Sequence, residues 1–415
     1  MQSKKFNFSF ELVDKLKAVM ADVATLAIEK EELIEYLALA MLARMNIFLL
    51  GLPGNNKSDT IRNLVNRIDG AKHFEAQLHE QFNAEELFGV LDITELAKGN
   101  KRIDTSNMLP EADVVVLEET FKARSVLNSL LKAMNEREYT NYGMTYDIPA
   151  FTFIGASNEI PDTRDPEERV FAALIDRFEI KVKVDYITGK SNREKALNVV
   201  MQRKREKLLN KNLMVNATIP KSELEKMQKE LLFVEVPTPI KELLEKILIN
   251  LRAKGIHVTD RRYLNCTTLL QAVAYLNKRN AVAIEDLAYL KNYFWDMPSD
   301  IPMVQEIIEQ NIKNPMKESI DATMAIARDL YNHNVETINK GLEEREKMVL
   351  CKKFRKEIVR IYDIMLGYDK NIRSDSDREL YIKSIDELEE LNMKINSALG
   401  FSQLPLKETK MMMDR

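Results

Sequence analysis

Residues 51–58 read Gly-Leu-Pro-Gly-Asn-Asn-Lys-Ser and follow directly on the apolar run Ile47-Phe48-Leu49-Leu50. Few sequence features restrict a fold as tightly. A buried strand that ends in a glycine-bearing turn and passes at once into a helix leaves the first helical N–H groups facing the turn, where an anion belongs. Lys57 brings a cation to the β- and γ-phosphates of a nucleotide, and Ser58 offers a hydroxyl to Mg²⁺. The segment is therefore read as a phosphate-binding loop for a nucleoside triphosphate. Gly51, Pro53, Gly54, Asn55, Asn56, Lys57, Ser58 and Asp59 are its candidate nucleotide-binding residues. One position departs from the usual pattern, since Asn56 stands where Gly is normal. Asn accepts φ > 0 better than most residues, so the loop reads as altered and not destroyed.

Downstream, strand-like segments alternate with helical ones. The strands are expected at 46–50, 73–78, 113–117, 150–156 and 179–184. Before them, Ile34, Leu37, Ala38, Met41 and Leu42 form a stripe at helical spacing. Alternation of this kind predicts a parallel sheet between helices, with ligands at the carboxyl ends of the strands. Three polar segments fall at such ends: the loop after residue 50, Glu118-Glu119, and Asn158. From about 190 the pattern turns helical, and Pro298 and Pro302 suggest a second boundary. The expected organisation is 1–189 as an α/β nucleotide-binding core, 190–298 as an all-α domain and 299–415 as a helical C-terminal region. In that last region Phe354, Ile358, Ile361 and Met365, then Ile385, Leu388, Leu391, Ile395 and Leu399, predict a helical hairpin about a polar loop from Gly367 to Asp377.

Composition narrows the partners. Hydrophobic residues make up 45% and charged residues 30%, as expected of a soluble globular protein with sizeable cores. The formal net charge of −4 gives no drive toward nucleic acid or an acidic membrane. The region 301–415 carries 19 basic against 21 acidic residues, so it is not a nucleic-acid arm, and a DNA-linked motor is disfavoured. Cys266 and Cys351 make no metal-site spacing, and a disulfide is not expected, which suits a reducing cytoplasm. The opening MQSKKFNFSF lacks the apolar stretch of a signal peptide. Glu35, Arg44 and Asn46 interrupt the richest apolar region, so no membrane span is expected. His73 and His79 lack companions for a metal site.

Hydrolysis of a nucleotide needs a metal, an oriented water and positive charge at the transferred phosphoryl group. Val114-Val115-Val116-Leu117 runs into Glu118 and Glu119. The first carboxylate would serve Mg²⁺ and the second would polarise the attacking water. The usual first residue is Asp; Glu118 is one methylene longer, which octahedral Mg²⁺ tolerates poorly. Asn158 ends the strand at 150–156 and would bridge γ-phosphate and water. Arg177 precedes the last strand, where an arginine finger to a neighbouring subunit can arise. Thr259-Asp260-Arg261-Arg262 opens a helix, capped by Thr259 or Asp260. One of its two arginines, Arg261 by preference, would reach back to the nucleotide.

These segments together resemble the MoxR family of AAA+ ATPases, in its RavA-like branch. The marks are GLPGNNKS, FNAEELFG, VVVLEE, LLKAMNEREY, GASNEIP, LIDRF, TDRR and AVAIEDL, over roughly 20–295. The resemblance implies an AAA+ P-loop NTPase core followed by an all-α lid. It implies Walker A at Gly51, Gly54, Lys57 and Ser58, and Walker B at Glu118 and Glu119. Sensor 1 falls on Asn158, the arginine finger on Arg177 and sensor 2 on Arg261. It further implies ATP and Mg²⁺ as ligands, a homo-oligomer in the form of a hexameric ring, and chaperone-like remodelling of a protein partner, often one with a von Willebrand factor A (vWA) domain. Phe82 to about Arg102 would be the family's helix-2 insert, and 138–148 its hairpin, with Gly143 at the tip. Two activities stay open: turnover that drives remodelling, and a hydrolysis-impaired module in which ATP controls assembly.

Overall fold

Five short segments, three of them mostly apolar, pair side by side in one parallel sheet. They are β1 (Ile47–Leu50), β2 (His73–Gln77), β3 (Val114–Glu118), β4 (Thr152–Ser157) and β5 (Ile180–Lys183). The order across the sheet is β5-β1-β4-β3-β2. Ile47 lies opposite both Ile180 and Ile154, so the loop after Leu50 leaves an interior strand of the sheet. The computed structural model describes residues 6–141, 143–208, 215–312, 315–341, 343–369 and 375–413.

Both faces of a parallel sheet must be covered, which explains why β1, β3 and β4 are buried almost throughout. Helix Glu31–Ala43 is buried on nearly every side and packs against β1, β5 and the helices on either side of it. It ends at Arg44 in the left-handed region, φ 55°. Gly155 lets β4 pass beneath the aromatic ring of Phe178; a Cβ there would stand 2.6 Å from that ring. The expected insert is a helix at Ala84–Phe88, a two-stranded ladder of Val90–Leu91 with Ile103–Asp104, and a helix at Ile93–Ala97 between them. The expected hairpin pairs Glu138–Asn141 with Met144–Asp147, and Gly143 turns it at φ 79°.

Helices Lys221–Glu230, Thr238–Ala253 and Asp260–Leu276, with the 3-10 segment Ile284–Asn292, form the all-α part. It packs on helix Glu31–Ala43. Tyr36 donates to the Tyr289 carbonyl at 3.0 Å, and Tyr289 donates to Glu35 at 2.6 Å. The boundary expected at Pro298 and Pro302 does not divide the chain. Helix Ile301–Ile312 lies against Ile284–Asn292 and Thr238–Ala253, and Val304, Ile307 and Ile308 join the same core, so the compact unit runs to Ile312. Proline at the first turn of a helix is compatible with continuation, and apolar burial decides the matter.

The second unit, Lys313–Arg415, is a bundle of helices Pro315–Asn339, Glu344–Tyr368, Asp375–Ala398 and Leu406–Met413. Its own core includes Ile320, Met324, Phe354, Ile358, Leu388, Ile395 and Leu406. The expected hairpin is the middle pair. Helix carries on to Tyr368 and resumes at Asp375, a shorter gap than the polar composition suggested, and part of the predicted loop lies outside the described residues. Cys266 and Cys351 are both buried free thiols. Among the described residues no helix is long and apolar enough to cross a membrane, and no group of three or more His, Cys, Asp or Glu side chains is arranged to hold a metal ion by itself.

Candidate nucleotide site

At the carboxyl end of β1 the chain turns through residues 51–56 into helix Lys57–Val65. Gly51 is needed for space and not for its φ. A Cβ there would stand 2.4 Å from the Val184 carbonyl, and the Gly51 N–H donates to Ser157 at 3.1 Å. Gly54 has φ 77° and Asn56 has φ 63°. The Asn56 side chain makes no cap hydrogen bond, so its contribution is the left-handed turn itself. Asn55 is turned inward and donates to the Val184 carbonyl at 2.8 Å, bracing the loop against β5. Tyr186 donates to the Pro53 carbonyl at 2.9 Å. Sequence reading had no signal for either tie, because the partners lie 129 and 133 residues away.

A cavity of about 310 Å³ opens over this loop. Pro53, Gly54, Asn55, Asn56, Lys57, Ser58 and Asp59 line one side, and Glu118, Glu119, Ala156, Ser157 and Asn158 the other. Lys57 is buried and donates to the carbonyls of Gly51 and, at 3.3 Å, Leu52. Burial pushes its ammonium below the ordinary range, while Glu119 and Glu118 oppose the shift. Glu119 takes φ 53°, a strained value for a non-glycine residue, of the kind that gathers at functional sites. Thr120 locks that turn by donating to the carbonyls of Leu117 at 2.9 Å and Ala156 at 3.2 Å. Asn158 donates to Glu119 at 3.3 Å, and Lys122 pairs with Glu119 at 3.1 Å. Thr120 and Lys122 were missed from sequence; their types carry no chemical signature apart from this turn.

The donor set fits Mg²⁺ and a triphosphate. Glu118 leaves one carboxylate oxygen buried without a hydrogen-bond partner, and the Ser58 hydroxyl borders the same cavity. Helix Lys57–Val65 directs its N-terminus at it.

The two remaining predicted residues lie elsewhere. Arg177 precedes β5, so it stands at the amino end of the sheet, and the loop stands at the carboxyl end. One strand of four residues separates those ends by roughly 13 Å. Arg261 lies with Arg177, not with the loop. Burial lowers the Arg177 pKa, and the positive charge of Arg261 lowers it further. Thr259 donates to Asp176 at 3.1 Å, and Asp176 accepts from Arg177 at 3.3 Å. Arg261 was expected to reach back to the nucleotide; in this structure it does not stand at its own chain's loop, because the lid is docked on the far end of the sheet. Arg262 is not an alternative. It is 1% exposed and held by Asp296 at 2.7 Å and by the Tyr293 carbonyl. Thr259 is the cap of helix Asp260–Leu276, accepting from the Arg262 N–H at 3.3 Å.

Residues 14–229 match the family model of the MoxR domain in the MoxR-vWA-beta-propeller ternary systems, and residues 235–308 match an AAA lid domain. An uncharacterized protein of Methanocaldococcus jannaschii is 31% identical over 350 residues, 82% of this chain and 87% of its own length. A second from that organism is 29% identical over 382 residues, 90% and 96% of the two chains. The structural protein ORF618 of Acidianus two-tailed virus is 31% identical over 148 residues, 34% of this chain and 23% of the viral protein. A crystal structure from Cytophaga hutchinsonii, of a protein assigned as an ATPase, has the same fold: TM-score 0.57, 18% identity, covering 73% of this chain and 95% of that one. Both matched segments coincide with the folded core and the helices docked on it, and by that agreement the chain belongs to the MoxR family of AAA+ ATPases.

Proposed function

We propose that this chain hydrolyses ATP at sites formed between copies of itself and uses the cycle to remodel a protein partner. One observation carries the reading: the cavity with Lys57, Ser58, Glu118, Glu119 and Asn158 lies at one end of the sheet, and Arg177 and Arg261 lie together at the other. In this arrangement a chain's arginines stand at the opposite end of the sheet from its own loop, and a head-to-tail neighbour would bring them to it. A heterologous contact of that kind closes into a ring when the rotation between copies closes; a hexamer is the proposed form, with the RavA-like branch as the proposed affiliation.

In this reading Lys57 and the first N–H groups of helix Lys57–Val65 hold the phosphate chain. Ser58 and Glu118 would hold Mg²⁺, which would supply positive charge to the phosphate chain. Glu119 orients and deprotonates the attacking water, and Asn158 steadies Glu119 from beside it. Arg177 and Arg261 of the next copy meet the charge that builds on the transferred group. A cytoplasmic protein with a vWA domain is the proposed partner, supported by the kind of system for which the matched MoxR model is named.

Phosphate release by the assembled protein tests this. Glu119→Gln is expected to bind ATP as the parent does and to lose turnover by at least about 10²-fold, the usual range for a positioned base. Lys57→Ala is expected to lose binding as measured by calorimetry. Turnover in the parent no faster than in Glu119→Gln would instead support ATP as an assembly ligand only. That second reading is favoured by the longer side chain of Glu118 and by the hold of Lys122 on Glu119.

A further inference from the structure

Resting on the inter-subunit reading above, we propose that the Lys181–Asp296–Arg262 cluster, two buried cations on one half-buried carboxylate, is a positioning device: it fixes the lid to the sheet so that Arg177 and Arg261 meet a neighbour's nucleotide at a set spacing.

The cluster joins both arginines through their immediate neighbours in the chain. Lys181, in β5, is 1% exposed and donates to Asp296 at 3.0 Å and to the Phe178 carbonyl at 2.9 Å. Phe178 follows Arg177. Asp296 also accepts from Arg262 at 2.7 Å, and Arg262 donates to the carbonyls of Tyr293 and, at 3.4 Å, Trp295. Arg262 follows Arg261. A closed path therefore runs from Arg177 through Phe178, Lys181, Asp296 and Arg262 to Arg261. Thr259 and Asp176 make a second tie between the same two segments. The helix that ends at Arg177, just before β5, contributes one arginine and the lid the other, and these bonds set the distance between them.

Stability alone does not account for the cluster. Burying the two cations Lys181 and Arg262 against one half-buried carboxylate carries a desolvation cost that can exceed the attraction. Arg262 Nε and Trp295 Nε1 are buried without hydrogen-bond partners, so the polar groups are not fully satisfied. Burial pushes the Lys181 ammonium down to about 8, with Arg262 adding to the shift and Asp296 opposing it. An apolar contact would serve simple adhesion at lower cost. A directional ionic contact specifies one arrangement, which two arginines that must act together require.

Two variants are measured in the full chain. Lys181→Met removes one cation at similar volume, and Asp296→Asn removes the shared carboxylate. Each is assayed for ATP affinity by calorimetry and for phosphate release. The expected result is affinity within about twofold of the parent and a kcat lower by about 10²-fold, the cost of a misplacement of about 1 Å. Each variant is then mixed with Lys57→Ala chains, which supply intact arginines and no working pocket. Mixed assemblies are expected to release phosphate at least about tenfold faster than either chain alone. Arg177→Ala mixed with Lys57→Ala is the control. Recovery in the control without recovery for either cluster variant overturns the proposal. No recovery in the control overturns the inter-subunit reading itself, and the proposal with it. Retained kcat in both variants also overturns the proposal. Should Asp296→Asn not fold, Lys181→Met decides, since it leaves the Asp296–Arg262 pair in place.

Discussion

Asn56 shows what one residue decides. Its φ of 63° is a value that an L-residue reaches at a cost of about 1–2 kcal/mol, lower for Asn and absent for Gly. Its side chain makes no cap bond. The departure from Gly therefore bears on strain and leaves the direction of the N–H groups unchanged. Asn56→Gly is expected to leave the melting temperature and ATP affinity nearly as they are. Asn56→Val, β-branched at φ > 0, is expected to lose about 1–2 kcal/mol and to bind ATP more weakly. Thermal unfolding and calorimetry check both; a stable, tightly binding Val variant would mean that the loop adopts another conformation with ligand.

Among the elements, the helix that starts at Lys190 is anchored by a residue far from it in sequence. Glu29, itself at φ 57°, accepts from the Thr188 N–H at 2.8 Å, the Gly189 N–H at 3.3 Å and the Asn192 amide at 2.5 Å. The Asn192 bond first, then the Thr188 N–H, holds its carboxyl down to about 2, against 4.5 ordinarily. A carboxylate whose pKa is depressed on folding stabilises the native state above its unfolded value, and the contribution fades as pH falls toward the folded value. The parent is thus expected to lose stability between pH 4.5 and about 2 more steeply than Glu29→Gln. Melting temperatures across that range measure the difference, and parallel curves would show that the anchor has no weight in solution.

For the whole molecule, the chain divides after Ile312 into two units with separate cores. Each core is built from side chains of its own unit, so each can unfold on its own. Two transitions are expected in scanning calorimetry. A fragment 1–312 is expected to keep ATP binding, and 313–415 to keep its helical signal. A single transition, lost together on cutting, would show that the units depend on each other.

How much was legible in advance follows from how far apart the interacting residues are. The insert and the hairpin at Gly143 were legible through the family resemblance, whereas the loop at 51–58 and the runs into Glu118 and Asn158 are each written in contiguous residues. Local backbone preference and short apolar runs are enough to read them. Tertiary structure alone decided which end of the sheet receives the lid, and with it the place of Arg261. It also separated Arg261 from Arg262, two identical side chains in one turn, by burying the second. The reason is physical: Lys181 and Asp296 are 115 residues apart and meet only after two layers have packed. The sequence by itself determined which segments border the cavity at the carboxyl end of the sheet, and packing determined that the two arginines lie at the other end.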